Sequence, residues 1–325
     1  MSDELDPWLE MLKSEEVSDR LVAIKTLQYL GDEAALDPLI AALKDENSTV
    51  QKLAITALWE LANPDAVPAL LECLTSLDQG VRSEAQSALG ELVSLDHLLK
   101  LLDALHSDNF HLQLNSLLLL RKIHDAQALP YILPFFQSDQ VELREAAITT
   151  LRYLNQVERC FPALVTVSDP SEVVRRSAVL TLGHLYDPEV IPRLNQSLIC
   201  DLDWQVRRNA AQSLAIHADL TSMSALETAL EDEHWQVRKA ALQTLQKMPD
   251  EQLIPALIKA VADEYSDVRK EAAIALGNFT NPTAMPLAHG YVLAALQQAL
   301  DDPDREVSIR AERAIQKIQA SKQKI

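Results

Sequence analysis

The chain has 325 residues, and its 48 acidic against 29 basic side chains give a formal charge of -19. That balance opposes nucleic-acid binding, which rests on Lys and Arg neutralising phosphates. Only six glycines, few aromatics and abundant Leu, Ala, Glu and Gln favour helices. No apolar run is long enough to span a bilayer, and Met1-Ser2-Asp3-Glu4 is acidic where a secretory leader is basic. The expected setting is soluble and cytoplasmic, with no membrane and no nucleic acid as partner.

Self-similarity organises the whole sequence. Trp204-Gln205-Val206-Arg207-Arg208-Asn209-Ala210-Ala211-Gln212-Ser213-Leu214 is nearly restated 31 residues later, from Trp235 to Leu245. The residue after the valine defines a marker position, occupied by Arg20, Gln51, Arg82, Gln113, Arg144, Arg175, Arg207, Arg238, Arg269 and Ser308. Its interval is 31 except for 32 before Arg207 and 39 before Ser308. Ten units fill the chain, so a single continuous repeat domain over 1–325 is expected.

In chain order, the opening reads as a short helix with Asp6 as N-cap, Pro7 at the first helical position, and Leu9 and Leu12 on its apolar face. Three residues after each marker stands Ala, or Ser116; seven after it stands Leu, or Ile315. With the preceding apolar residue, as in Val206, Ala210 and Leu214, the spacing is i, i+4, i+8, one face of an α-helix. Six residues before each marker stands Ser or Asp: Ser14, Asp45, Ser76, Ser107, Ser138, Asp169, Asp201, Asp232, Asp263 and Asp302. Those side chains satisfy free backbone donors where a turn enters a helix. A second apolar helix lies upstream in each unit, as in Ala66–Leu74 with its early Pro68. Each unit is therefore a helix pair.

The unit at 106–124 departs most from the pattern, with Gln113 for Arg and four consecutive leucines, Leu117 to Leu120. The run implies a more deeply buried helix, with a sticky partner face as the competing reading. Asn281 to Gly290, with two prolines and a glycine, reads as a loop insertion before the last pair. Lys317, Lys322 and Lys324 complement the dipole of the final helix. Gly31, Gly90, Gly183 and Gly277 are expected as helix C-caps. Cys73, Cys160 and Cys200 have no ligand spacing and are expected as buried, reduced thiols.

The pattern Asp-x-x-x-x-Val-Arg-x-x-Ala-x-x-x-Leu, preceded by an amphipathic helix with an early proline, resembles the HEAT repeat. In particular it is similar to the short HEAT-like repeats of bacterial phycobilisome lyase subunits. The resemblance implies a right-handed, all-α solenoid of about ten two-helix repeats whose second helices line a concave groove. It also implies that Asp201 with Arg207, Asp232 with Arg238, and Asp263 with Arg269 belong to a structural ladder between neighbouring units.

One residue after the marker, later units carry Arg176, Arg208, Lys239 and Lys270. Trp204 lies four residues before Arg208 and Trp235 four before Lys239, so each aromatic shares a face with a base. Gln212 and Gln243 continue the line. On the groove implied by the resemblance, Trp204, Trp235, Arg176, Arg208, Lys239, Gln212 and Gln243 form a strip suited to an acidic or extended segment of another protein. Intramolecular packing of the two tryptophans against adjacent units is the competing reading.

No HExxH, no His-Glu dipeptide and no glycine-rich phosphate loop stands in the sequence. Neither a catalytic nor a metal-binding residue is assigned, and His184 and His234 are read as ordinary groove or turn residues. The expected function is a non-enzymatic scaffold or adaptor, and the resemblance offers an iron-sulfur scaffold protein or a phycobiliprotein as client. The alternative it implies is a phycobilin lyase subunit acting on a phycobiliprotein cysteine. A bilin is a cofactor only under that alternative; otherwise none is expected.

Overall fold

A computed structural model describes residues 2–279 and 286–322. These residues form an all-α solenoid of twenty α-helices joined by turns and short 3-10 segments. Contacts divide the chain into two compact units, Met1–Val157 and Glu158–Ile325. Each unit holds five helix pairs, numbered repeats 1–5 and 6–10.

In the first unit the pairs are Ser2–Met11 with Val17–Leu30, Leu36–Ala42 with Ser48–Leu61, Val67–Cys73 with Gln79–Leu92, Leu98–Ala104 with Phe110–Ile123, and Leu129–Ile132 with Val141–Tyr153. In the second they are Phe161–Thr166 with Glu172–Leu182, Val190–Cys200 with Trp204–His217, Met223–Ala229 with Trp235–Leu245, Ile254–Ala260 with Ser266–Leu276, and Pro286–Gln298 with Arg305–Lys322. Within each unit, second helices of successive repeats pack on one another, and each first helix packs on the second helix of its own repeat.

The sequence pattern explains that packing. All ten residues three positions after the marker, from Ala23 to Ala311 and including Ser116, are 0 % exposed. A methyl-sized side chain there lets consecutive second helices approach closely, and the Leu one turn later fills the space beside it. Leu58, Leu89, Leu120, Leu182, Leu214 and Leu276 are fully buried, each stabilising the stack by roughly 2 kcal/mol. The leucine run of repeat 4 follows the same logic. Leu117, Leu119 and Leu120 are buried and Leu118 half-buried, so it is a deep helix.

The turn residues do one job throughout. Each Ser or Asp six positions before the marker accepts a hydrogen bond from the backbone N–H two residues on, at 2.8–3.2 Å in all ten repeats. They make the turn, and the helix N-cap falls two residues later, as at Asp203, whose Oδ1 also accepts from Val206 N.

A second set of contacts closes the other ends of these helices. Lys122 Nζ donates to Gly90 O and Glu91 O, and Lys247 Nζ donates to Ala215 O. Each lysine thus meets the carbonyls ending the preceding repeat's second helix, where the helix dipole is negative. Lys317 does not serve its own helix end; it donates to Asn278 Oδ1 of repeat 9.

Several expectations are corrected. The first helix starts at Ser2, leaving Pro7 inside it rather than at its start. Residues 281–285 lie outside the described set, but Pro286–Gln298 is helical, so Pro286 opens a helix and Gly290 sits within it instead of ending a loop. Cys200 is exposed because it ends the helix Val190–Cys200, whereas Cys73 and Cys160 are buried. Burial pushes the Cys73 thiol up to about 11 and also raises that of Cys160.

The glycines divide as well. Gly31 is a left-handed cap at φ 60°, its N–H reaching Leu27 O. Gly183 and Gly277 are the C-cap residues of Glu172–Leu182 and Ser266–Leu276, as expected, and they also mark close approach: a Cβ would fall 2.9 Å from Ser213 Cβ at the first and 2.8 Å from Ala314 Cβ at the second. Gly90 lies inside the helix Gln79–Leu92 with open space around it.

Candidate functional site

The expected strip lies on repeats 6–8 of the second unit, beside the structural ladder. Each ladder arginine donates Nη1 to the main chain of its own turn and spends its fork on the aspartate of the next repeat. Arg207 gives Nη1 to Asp201 O at 2.8 Å, while Nε and Nη2 meet Asp232 at 2.6 and 3.0 Å. Arg175 holds Asp201, Arg238 holds Asp263 and Arg269 holds Asp302 in the same bidentate way. The carboxylate of Asp201 therefore belongs to Arg175, and Arg207 touches only its main chain.

Both partners of the Arg207–Asp232 rung are only 10 % exposed. Hydrogen bonding to the aspartates raises the four arginines above their ordinary range and, through Arg269, lowers Asp302.

On the neighbouring face, the structure brings the aromatics and bases together. Arg208 lies over the Trp204 ring at 5.4 Å and Lys239 over the Trp235 ring at 5.7 Å. Each tryptophan, at the first position of its helix, also stacks on the residue capping the next repeat's second helix. Trp204 meets His234 at 5.4 Å with planes 8° apart, and Trp235 meets Tyr265 at 5.6 Å and 20°. The inter-repeat packing of both tryptophans is thus present, and both rings remain half-buried rather than covered.

The bases differ in how they are used. Arg176 is locked bidentate on Asp203 at 2.9 and 2.6 Å, which holds the Asp203 carboxyl below its usual range. Lys239 lies 3.1 Å from Asp267, and Lys270 donates to the same carboxylate at 2.8 Å. Those lysines, Lys270 foremost, lower Asp267. Arg208 donates to the side-chain oxygen of Asn209 at 3.2 and 2.9 Å. Among the described residues it is the strip cation that meets no carboxylate. Gln212 is exposed, and Gln243 donates to Glu271 at 3.0 Å.

His234, Tyr265, Asp203, Asp267 and Asn209 belong to this site although sequence reasoning did not select them. Their signal was the register: His234 and Tyr265 each stand four residues before a marker arginine, one place before a helix begins. His184 is an exposed residue just past the helix Glu172–Leu182. Among the described residues no helix is long and apolar enough to cross a membrane, and no group of three or more His, Cys, Asp or Glu is placed to hold a metal ion.

Comparison with known proteins follows the same outline. No curated protein matches the chain. Among solved structures, an engineered protein from a structural genomics consortium is 20 % identical with a TM-score of 0.54, over 97 % of this chain and 98 % of that one. A chain from the structure of Kap95p bound to RanGDP is 15 % identical with a TM-score of 0.62, and one from a Kap95–Nup1 complex is 14 % identical with a TM-score of 0.64. Each of those two matches covers 97 % of this chain but 51 % of the other, so the chain spans about half their length. At these identities the likeness is one of fold. The model for HEAT repeats matches residues 5–90, 161–234 and 223–316, well over half of the sequence, and the chain belongs to the HEAT-repeat family.

Proposed function

We propose that the chain is a non-enzymatic adaptor that binds a partner protein along the second helices of repeats 6–8, in a concave groove lined by Trp204, Trp235, Arg208, Lys239, Gln212 and Gln243. The observation that carries this reading is Arg208, a guanidinium held over Trp204 with no carboxylate among the described residues to neutralise it. A partner carboxylate would meet a preoriented cation and make a charge-assisted hydrogen bond. Arg176 and Asp203 act as the frame that fixes the start of the Trp204 helix.

Adjacent packed helices lie roughly 8–10 Å apart, and an extended strand advances about 3.3 Å per residue. An extended partner segment would therefore advance by about three residues per repeat. The Kap95 solenoids, solved with RanGDP and Nup1, support a protein as the class of ligand. An iron-sulfur scaffold protein or a phycobiliprotein remains the client suggested by the sequence resemblance.

Affinity capture from the native host with wild type and the Trp204→Ala/Trp235→Ala variant tests the proposal. Loss of a reproducible partner, with a melting temperature within a few degrees of wild type, is the expected result. Collapse of the fold would assign both tryptophans to inter-repeat packing alone. Mixing the protein with a bilin separates the lyase alternative: a visible absorbance shift followed by transfer to a phycobiliprotein would replace the adaptor reading.

A further inference from the structure

We infer that the first unit carries a second docking site, a groove at the seam between repeats 4 and 5 that takes a positively charged segment of a partner protein through one large apolar side chain. The groove encloses about 710 Å³ and is walled by Leu105, Pro130, Tyr131, Pro134, Phe135 and Leu143. Clefts that hold compact ligands run from roughly 300 to 1,000 Å³. Its size is sufficient for a tryptophan or phenylalanine.

Two local departures from the repeat pattern shape this seam. Pro134 removes a donor inside the first helix of repeat 5, which changes from α-helix at Leu129–Ile132 to a 3-10 turn at Leu133–Gln137. The marker position holds Gln113 instead of arginine, and the matching turn residue of repeat 5 is Ser138 instead of aspartate. Gln113 Nε2 is spent on Ser107 O at 2.6 Å, so no fork reaches across the seam as Arg207 does. Tyr131, held edge-on by His106 at 5.7 Å, is 37 % exposed.

Charge selects the occupant. The lining contains no Asp, Glu, Lys or Arg, whereas the clefts at the seams of repeats 1–2 and 2–3, about 460 and 270 Å³, are lined in part by Lys13, Arg20 or Lys44 beside Asp45 or Glu72. Exposed Asp139 and Glu142 stand next in sequence to the lining residues Ser138 and Leu143, and Arg144 Nη1 is committed to Ser138 O and Asp139 O. Residues 1–157 hold 25 acidic against 11 basic side chains. A cationic segment is steered here, and an apolar anchor gives it a place to stop.

A short fluorescein-labelled peptide with one tryptophan between lysine pairs is the probe, read by anisotropy at physiological salt. Two relatives accompany it: one with glycine for the tryptophan, one with glutamate for the lysines. Wild type is expected to bind the first about tenfold more tightly than the glycine relative and not to bind the glutamate relative. Gln113→Arg/Ser138→Asp keeps the net charge while placing a guanidinium and its carboxylate in the lining, and should reduce that tenfold preference. Tyr131→Ala should reduce it, whereas Trp204→Ala/Trp235→Ala in the other unit should leave it intact. Equal binding of the tryptophan and glycine peptides, no binding, or a preference unchanged in both groove variants overturns the proposal. A melting curve guards the double variant, and Tyr131→Ala decides the matter if that variant fails to fold.

Discussion

In Glu158–Ile325 four consecutive marker arginines each clasp the aspartate of the next repeat, whereas within Met1–Val157 Arg20 does so, on Asp45, and Arg82 and Gln113 do not. The difference lies at two register positions, the turn residue and, at Gln51 and Gln113, the marker. In the first unit the turn position becomes Ser76, Ser107 and Ser138, and each serine still accepts the turn hydrogen bond. Arg82 and Gln113 correspondingly keep their bonds to main-chain oxygens of their own turns. Aspartate has two oxygens and does both jobs; serine does one. The turn is what the repeat requires, and the rung is an addition, present at every seam within the second unit and missing at the groove between repeats 4 and 5.

The sharpest break of that comparison is the same substitution made in both units. Arg207→Ala strands Asp232 at a seam where both partners are nearly buried, at an expected cost of about 3 kcal/mol. Arg82→Ala loses bonds to Ser76 O and Leu77 O and strands no carboxylate, at about 1 kcal/mol. Urea unfolding of the two variants beside wild type measures the difference, and equal losses would mean that the aspartate rung adds nothing.

Ala210→Leu and Ala85→Leu probe what the units share. Both positions are 0 % exposed, so each substitution is expected to cost about 2 kcal/mol through overpacking. Unchanged melting temperatures would contradict the tight seam in either unit.

Ser116→Ala should act in the opposite direction. Ser116 stands where the other repeats place alanine, and its Oγ is buried with no hydrogen-bond partner among the described residues. Removing the hydroxyl relieves a desolvation cost without opening a cavity, so a gain of about 1 kcal/mol is expected by urea unfolding.

The repeat count, both helices of each pair, the Ala/Leu stripe and the turn residues were legible because each recurs and answers to helix geometry alone. The direction of the aspartate rung was not, since a carboxylate 25 or 26 residues away and one within the same turn look alike in a linear pattern. Pro134 was silent for another reason: a proline early in a first helix is the rule here, and a second one four residues later alters the helix only after its own i−4 bond is counted. For the strip, side-chain spacing correctly placed Trp204 beside Arg208 and Trp235 beside Lys239. It could not show that Asp203 and Asp267, from the next repeats, already neutralise Arg176 and Lys239.

The smallest expected effect separates two aspartates at the same register, each capping the second helix of its repeat: Asp78 in the first unit and Asp203 in the second. Both carboxyls are held below the ordinary range, Asp203 first by the Arg176 fork and Asp78 first by Val81 N–H. A depressed folded-state value contributes stability above the unfolded value of about 3.9 and loses it as pH falls through the folded value. Asparagine still accepts from a backbone N–H but offers no charge to a guanidinium. Asp203→Asn should therefore lower the melting temperature at neutral pH, by an amount that shrinks as pH falls below about 4, where the wild-type carboxylate takes up its proton. Asp78→Asn should lower it less. A deficit for Asp203→Asn that stays constant from neutral to acid pH would show that the Arg176 fork adds no charge-dependent stability, leaving its role in the strip purely geometric.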